Sequence, residues 1–267
     1  MCNFLSALVT RTGEVLTLPE YTDSHEDLVE HFGLTDDGQK FCRVEFTPEA
    51  EQPEVVDGYK FTIDERQAPS WFDDEMKEKV IAELKRRVTA MLVLDERRIL
   101  LSGCYIVYEG AKVEKIKNSR IIAICGSAQV KYICGSAQVK SIYGSAQVES
   151  ICDSAKVESI CGSAQVESIC GSAQVESICD SAKVEYICDS AKVKSIYGSA
   201  QVESIYGSAK VESICGSAKV ESIYGSAKVE SIYGSAKVES ICGSARILND
   251  KRERKSARIL NDKRERK

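Results

Sequence analysis

The chain has 267 residues, of which 43% are hydrophobic and 29% charged, with 12 cysteines and a formal net charge of −5. A net of −1 over residues 107–243 would not gather phosphates along that stretch, and no apolar run approaches the ~18–20 residues of a membrane span. The charge is uneven: residues 1–106 carry 22 acids and 12 bases, whereas residues 244–267 carry 4 acids and 10 bases.

Residues 1–106 have the texture of a small α+β domain, expected to pack on the end of the repeats downstream. Met1–Pro19 lacks a basic segment followed by an apolar run, so no secretory leader is expected and the chain reads as cytoplasmic with reduced thiols. Phe4–Val9 and Glu14–Leu18 flank Arg11-Thr12-Gly13 and predict a hairpin. Ser24 predicts the cap of a short helix, with Glu26 and Asp27 in its first turn and Gly33 beyond its end. Phe41–Phe46 and Tyr59–Asp64 predict strands separated by a Pro- and Glu-rich loop. Ser70 or Asp73 opens the strongest helix, which runs to about Met91 with Met76, Val80, Ile81, Leu84, Val88, Met91 and Leu92 on one stripe. Ile99–Leu101 and Tyr105–Val107 predict strands leading into the first coil.

Chemistry-bearing residues in this part are few. Asp23 and His25 lie in the polar run Thr22–Asp27, and Trp71 is the single tryptophan, beside a helix start. These three are the candidate binding residues. His25 and His31 are six apart, on opposite sides of a helix, whereas a helical zinc motif needs a spacing of four. Cys2 would become an N-terminal nucleophile on removal of Met1, but the further polar groups that such an amidohydrolase requires are not identifiable. No catalytic residue, metal or cofactor is expected.

Val107-Tyr108-Glu109-Gly110-Ala111-Lys112-Val113-Glu114-Lys115 opens a nine-residue phrase, Ile-(Cys/Tyr)-(Gly/Asp)-Ser-Ala-(Gln/Lys)-Val-(Glu/Lys)-(Ser/Tyr), whose uninterrupted copies run from Ile124 to Ser244. Ile116–Ala123 fits with one residue missing. A fixed short period predicts a stacked body. Ala and Val alternate with polar residues, so Ser-Ala-Gln-Val-Glu predicts a strand with Ala and Val inward. Ile stands three after Val, which predicts a corner at the intervening Ser, for example Ser150, and a second bend at Gly or Asp. Two phrases are favoured over three, giving an 18-residue coil, because Ala and Val let two strands face each other closely. Nine cysteines share one position with five tyrosines. That exchange predicts a ladder position of free thiols, neither a disulfide set nor a converging zinc site. Outward Lys or Gln followed mostly by Glu predicts a solvated face.

Ser244–Lys255 reads SARILNDKRERK, and Ser256–Lys267 repeats it. Ala245 and Ile247 still fit inward positions, and the charges after them predict a solubilising end over residues 249–267. Contact with nucleic acid is expected only weakly, through this basic tail.

Met1-Cys2-Asn3-Phe4, Thr22-Asp23-Ser24-His25-Glu26-Asp27-Leu28, Arg43-Val44-Glu45-Phe46-Thr47-Pro48 and Trp71-Phe72-Asp73 resemble an uncharacterised family of bacteria and their phages. In that family such a domain precedes tandem repeats of eight or nine residues. The resemblance covers nearly the whole chain, implies a β-solenoid, and assigns no activity and no site. The repeats also resemble, more distantly, those of ice-nucleation proteins, without their threonine-rich phrasing.

The expected fold is mainly β: a parallel β-solenoid over residues 107–248, with an α+β domain at 1–106 and a charged tail at 249–267. The expected function is that of a non-enzymatic structural or binding protein, with a protein partner or self-association. A toxin-like or hydrolytic effector acting through residues 1–106 and an ice- or surface-binding solenoid are the alternatives.

Overall fold

A computed structural model describes residues 5–36, 38–49, 52–252 and 261–263. It divides into two compact units, residues 1–92 with 103–106, and residues 93–102 with 107–267.

The first unit is built on a four-stranded antiparallel sheet in the order β2-β1-β3-β4, formed by β1 (Leu5–Thr10), β2 (Val15–Leu16), β3 (Phe41–Thr47) and β4 (Lys60–Ile63). The hairpin turns where expected, with Gly13 at φ +82°, a conformation that costs glycine nothing. Helix α1 (His25–His31) begins at Ser24, whose hydroxyl accepts the Asp27 N–H, satisfying one donor that the first turn leaves open. Its Leu28 packs with Leu8 and Phe41, and Leu16, Leu18 and Val29 border them. Helix α2 (Asp74–Met91) is capped by Asp73 and buries Val80, Leu84, Val88 and Met91. Met76, Ile81 and Leu92, on the same predicted stripe, are half-buried.

The second unit is a parallel β-solenoid in which the chain returns to the same sheet every 18 residues. Val148 pairs in register with Val166 and Ile151 with Ile169, and alternate phrases go to alternate sheets of ten strands each. The stack begins upstream of the first recognisable phrase. The segments β5 (Leu92–Val93), β6 (Glu96–Leu101) and β7 (Cys104–Val107) already belong to the two sheets, and Arg97 pairs with Val113. The boundary expected between residues 106 and 107 is therefore interleaved, because β6 carries no copy of the phrase yet offers the same run of backbone groups. Downstream, Arg246–Arg252 is a strand paired to Lys228–Gly234, so residues 249–252, expected in the tail, still belong to a sheet. Asn261–Lys263 pairs with Ser240–Cys242. The rest of the duplicated tail lies outside the described residues.

Each phrase buries Ala, Val and Ile almost completely, which stabilises the stack by roughly 1.5–3 kcal/mol per Val or Ile. Of the two expected bends, the one at Gly or Asp is present and the corner at Ser is not. The strand runs from Gln or Lys through Ile, as Gln147–Ile151, so the expected corner at Ser150 lies inside it. Pairing across that strand omits Glu149; the chain swings there enough to bring both Val148 and Ile151 inward without leaving the sheet. The sharp turn is at Gly-Ser: the Ala128 N–H donates to the Cys125 carbonyl at 3.3 Å, with Gly126 at φ +64°.

Three aspartates replace glycine in that turn, Asp153, Asp180 and Asp189, with φ of 55–57°. Each carboxylate accepts an N–H from the coil before it: Gly135 to Asp153 at 3.0 Å, Gly162 to Asp180 at 3.1 Å and Gly171 to Asp189 at 3.1 Å. The residues 18 before and 18 after each aspartate are glycines. The shortened phrase is also accounted for. Ser119 takes the inward place of the missing alanine, since the Gln138 N–H bonds its carbonyl as others bond alanine. It is 3% exposed, and its hydroxyl lies 3.2 Å from the carbonyls of Leu100 and Lys117, so the buried polar group is satisfied.

Candidate functional site

The polar residues of the first unit gather around β3, β4 and the start of α1. His25 is 1% exposed. Its Nδ1 lies 3.1 Å from Asp64 Oδ2, and its Nε2 lies 3.0 Å from the Val44 carbonyl. Both ring nitrogens thus face oxygen, and a neutral ring can donate to only one of them. The side chain is engaged on both edges, tying α1 to β3 and to the residue after β4.

Beside it, the Arg43 guanidinium donates to Glu65 at 2.9 Å and to Asp36 at 2.6 Å and lies 5.0 Å from the Phe41 ring centre. Glu26 is held below the usual carboxylate range, first by its own backbone N–H and then by the Ser24 hydroxyl. His25, Glu45 and Asp64 bring one ligand atom each within 4.8 Å of one another, but His25 Nδ1 already lies against the Asp64 carboxylate and Nε2 against the Val44 carbonyl.

Asp23 is half-buried, and its backbone carbonyl accepts the Ser6 hydroxyl. Trp71, also half-buried, donates its Nε1–H to the Gln39 carbonyl at 2.6 Å and meets Phe72 edge to face. Asp23 and His25 therefore share the entry to α1, whereas Trp71 is held by the segment before β3. Asp64, Glu65 and Arg43 were not singled out from sequence. Arg43 is visible only as the polar member of an alternating strand, and Asp64 is far along the chain from its partner His25. Cys2 lies outside the described residues.

On the solenoid, the cysteine and tyrosine positions form two ladders of free thiols and rings. Burial pushes the thiols of Cys152, Cys161 and Cys188 up, which keeps them neutral and poorly nucleophilic at neutral pH. The Cys188 hydrogen bond, first, and burial, second, push the Tyr206 hydroxyl up to about 12, and Tyr206 stacks on Tyr224 with ring centres 5.0 Å apart. Cys161, Cys179 and Asp180 also bring ligand atoms within 4.8 Å of one another. Cys161 and Cys179 stand on successive coils and Asp180 follows Cys179, which makes three ligands, short of the four of a structural zinc site.

No helix among the described residues is long and apolar enough to cross a membrane. Comparison with protein-family models, with curated proteins and with solved structures returns no match to the chain.

Proposed function

We propose that the chain is a non-enzymatic scaffold whose solenoid is a structural body and whose N-terminal unit recognises a protein partner. The observation that carries this reading is that the chemically capable groups described above serve the structure. His25 is committed on both edges to Asp64 and Val44, and burial holds ladder thiols neutral. Asp23 and Trp71, half-exposed beside α1 and α2, are the contact residues; His25 acts from within, fixing the entry to α1. The bacterial and phage family that the N-terminal phrases resemble supports the same plan, a domain followed by a repeat body. A cytoplasmic setting is proposed because cysteine and tyrosine exchange freely at one ladder position.

The test is capture from a cell extract by the full-length chain and by an Asp23→Ala/Trp71→Ala variant, both in about 0.5 M salt. The expected result is one partner retained by the first and lost by the second, with unchanged thermal midpoints. Hydrolytic turnover abolished by Asp23→Ala would overturn the reading in favour of an effector. A raised freezing temperature or thermal hysteresis, unaffected by that variant, would overturn it in favour of ice binding.

A further inference from the structure

The two-phrase coil sends alternate phrases to opposite sheets and so sorts their charges. Along one sheet, from Gln129 to Glu239, the outward positions hold six glutamates and four lysines; along the other, from Gln138 to Arg246, they hold four glutamates and seven bases. The glutamates are in column. Glu149, Glu167, Glu185, Glu203, Glu221 and Glu239 occupy six successive rungs, all exposed, along a shallow trough of about 880 Å³. On the other sheet, Lys192, Lys210, Lys228 and Arg246 occupy four successive rungs, paired in register. All four are at least partly exposed, and Lys228 reaches Glu230 only loosely, at 3.9 Å.

Like charges stacked directly on neighbouring strands repel. Each column therefore stands at a cost that an opposite column of the same spacing would relieve. The spacing is the same, because both ladders are set by one parallel stack with a rung about every 4.8 Å.

We propose that copies of this chain associate side by side, the glutamate ladder of one solenoid against the lysine ladder of the next. The inference rests on the scaffold reading and names a second copy as a partner of the solenoid. The area suffices: a face five residues wide at about 3.3 Å each and eight rungs long covers roughly 600 Å² per copy, and about 1,200 Å² in total lies at the lower edge of specific interfaces. The contact is heterologous, so each copy keeps one face free and the assembly is open-ended. It is also electrostatic, so salt controls it: the screening length falls from about 30 Å at 0.01 M to about 3 Å at 1 M.

Sedimentation of the full chain tests this. In about 10 mM salt the mass is expected to rise at least twofold above the 29.4 kDa monomer and to return to it in about 0.5 M salt. The variants Glu167→Gln/Glu185→Gln/Glu203→Gln and Lys192→Gln/Lys210→Gln/Lys228→Gln each spoil one face by removing charge at positions that are at least partly exposed. Each alone should stay monomeric at low salt with an unchanged circular dichroism spectrum. Mixed in equal amounts they should form a 1:1 complex and nothing larger, since one intact face of each kind remains. A wild-type chain that is monomeric at low salt overturns the proposal, as does undiminished association of either variant by itself. Partner capture through Asp23 and Trp71 is measured in high salt, where the solenoids are apart, so either reading can fail without the other.

Discussion

His25 and the turn glycines carry the sharpest consequences of single side chains. His25 sits at 1% exposure with oxygen on both ring nitrogens, and removing it leaves a cavity and takes a ring nitrogen from beside both the buried Val44 carbonyl and Asp64. His25→Ala should cost about 2–4 kcal/mol in urea unfolding; a loss under about 0.5 kcal/mol would show the pairing to be incidental. The glycines separate two costs. Gly33 and Gly171 have nearly the same φ, +61° and +63°, but a Cβ at Gly33 meets nothing within 4 Å, whereas one at Gly171 lies 3.0 Å from the Asp153 nitrogen. Gly33→Ala should therefore cost only the left-handed backbone penalty, about 1–2 kcal/mol, and Gly171→Ala should cost more. Equal thermal shifts for the two variants would refute the close-stacking account. The spacing of the aspartates was visible in the sequence, but its reason was not: each carboxylate takes the N–H of a glycine one full coil earlier.

At the scale of elements, α2 was legible because cap, period and length agree: Asp73 caps it, and four apolar residues of its stripe are buried. Its charges give a pH test. The Arg86 and Arg87 guanidinium groups hold the Glu83 carboxyl down from its ordinary 4.5 to about 2. A depressed acid contributes stability that is present above pH 4.5 and lost as pH falls towards 2. Because Glu83 is only half-buried and Arg86 is exposed, the contribution is screened to under about 1 kcal/mol. The difference in stability between wild type and Glu83→Gln should be constant from pH 7 to about 5 and fall to a small fraction of that value by pH 2. A difference undiminished at pH 2 would assign the effect to helix propensity instead. The repeat strands were legible as a pattern but displaced by two residues. Alternation marks which residues face inward; it does not reveal that the chain can swing at Glu149 and remain paired. Replacing one central isoleucine, as in Ile169→Ala, should cost about 2–5 kcal/mol, since it opens a void in a column where every neighbour is also buried.

At the scale of the whole molecule, the solenoid must end without becoming a template for another chain. Register shows how. Asp250 pairs with Ile232, and Asp262 pairs with Ile241, so both copies of SARILNDKRERK put an aspartate at the register position where the preceding coils have an inward isoleucine. A further coil would have to bury that charge, which is costly. The double variant Asp250→Ile/Asp262→Ile should therefore scatter light at low micromolar concentration in about 0.5 M salt, where lateral charge pairing is screened and wild type stays clear. A variant as clear as wild type would place the stop elsewhere in the tail.

The sequence by itself determined the solenoid, its period, the inward Ala, Val and Ile, and the caps of α1 and α2, because periodicity and capping are local and need only a few neighbouring residues. Tertiary structure alone decided the rest. It set the start of the stack at β5 and β6, which carry no repeat phrase and join the sheets through backbone hydrogen bonds. It paired His25 with Asp64, from the far side of β3 and β4 in the chain. It also sorted a nearly neutral run of charges into one acidic and one basic ladder, because charge along a chain belongs to no face until two phrases close a coil.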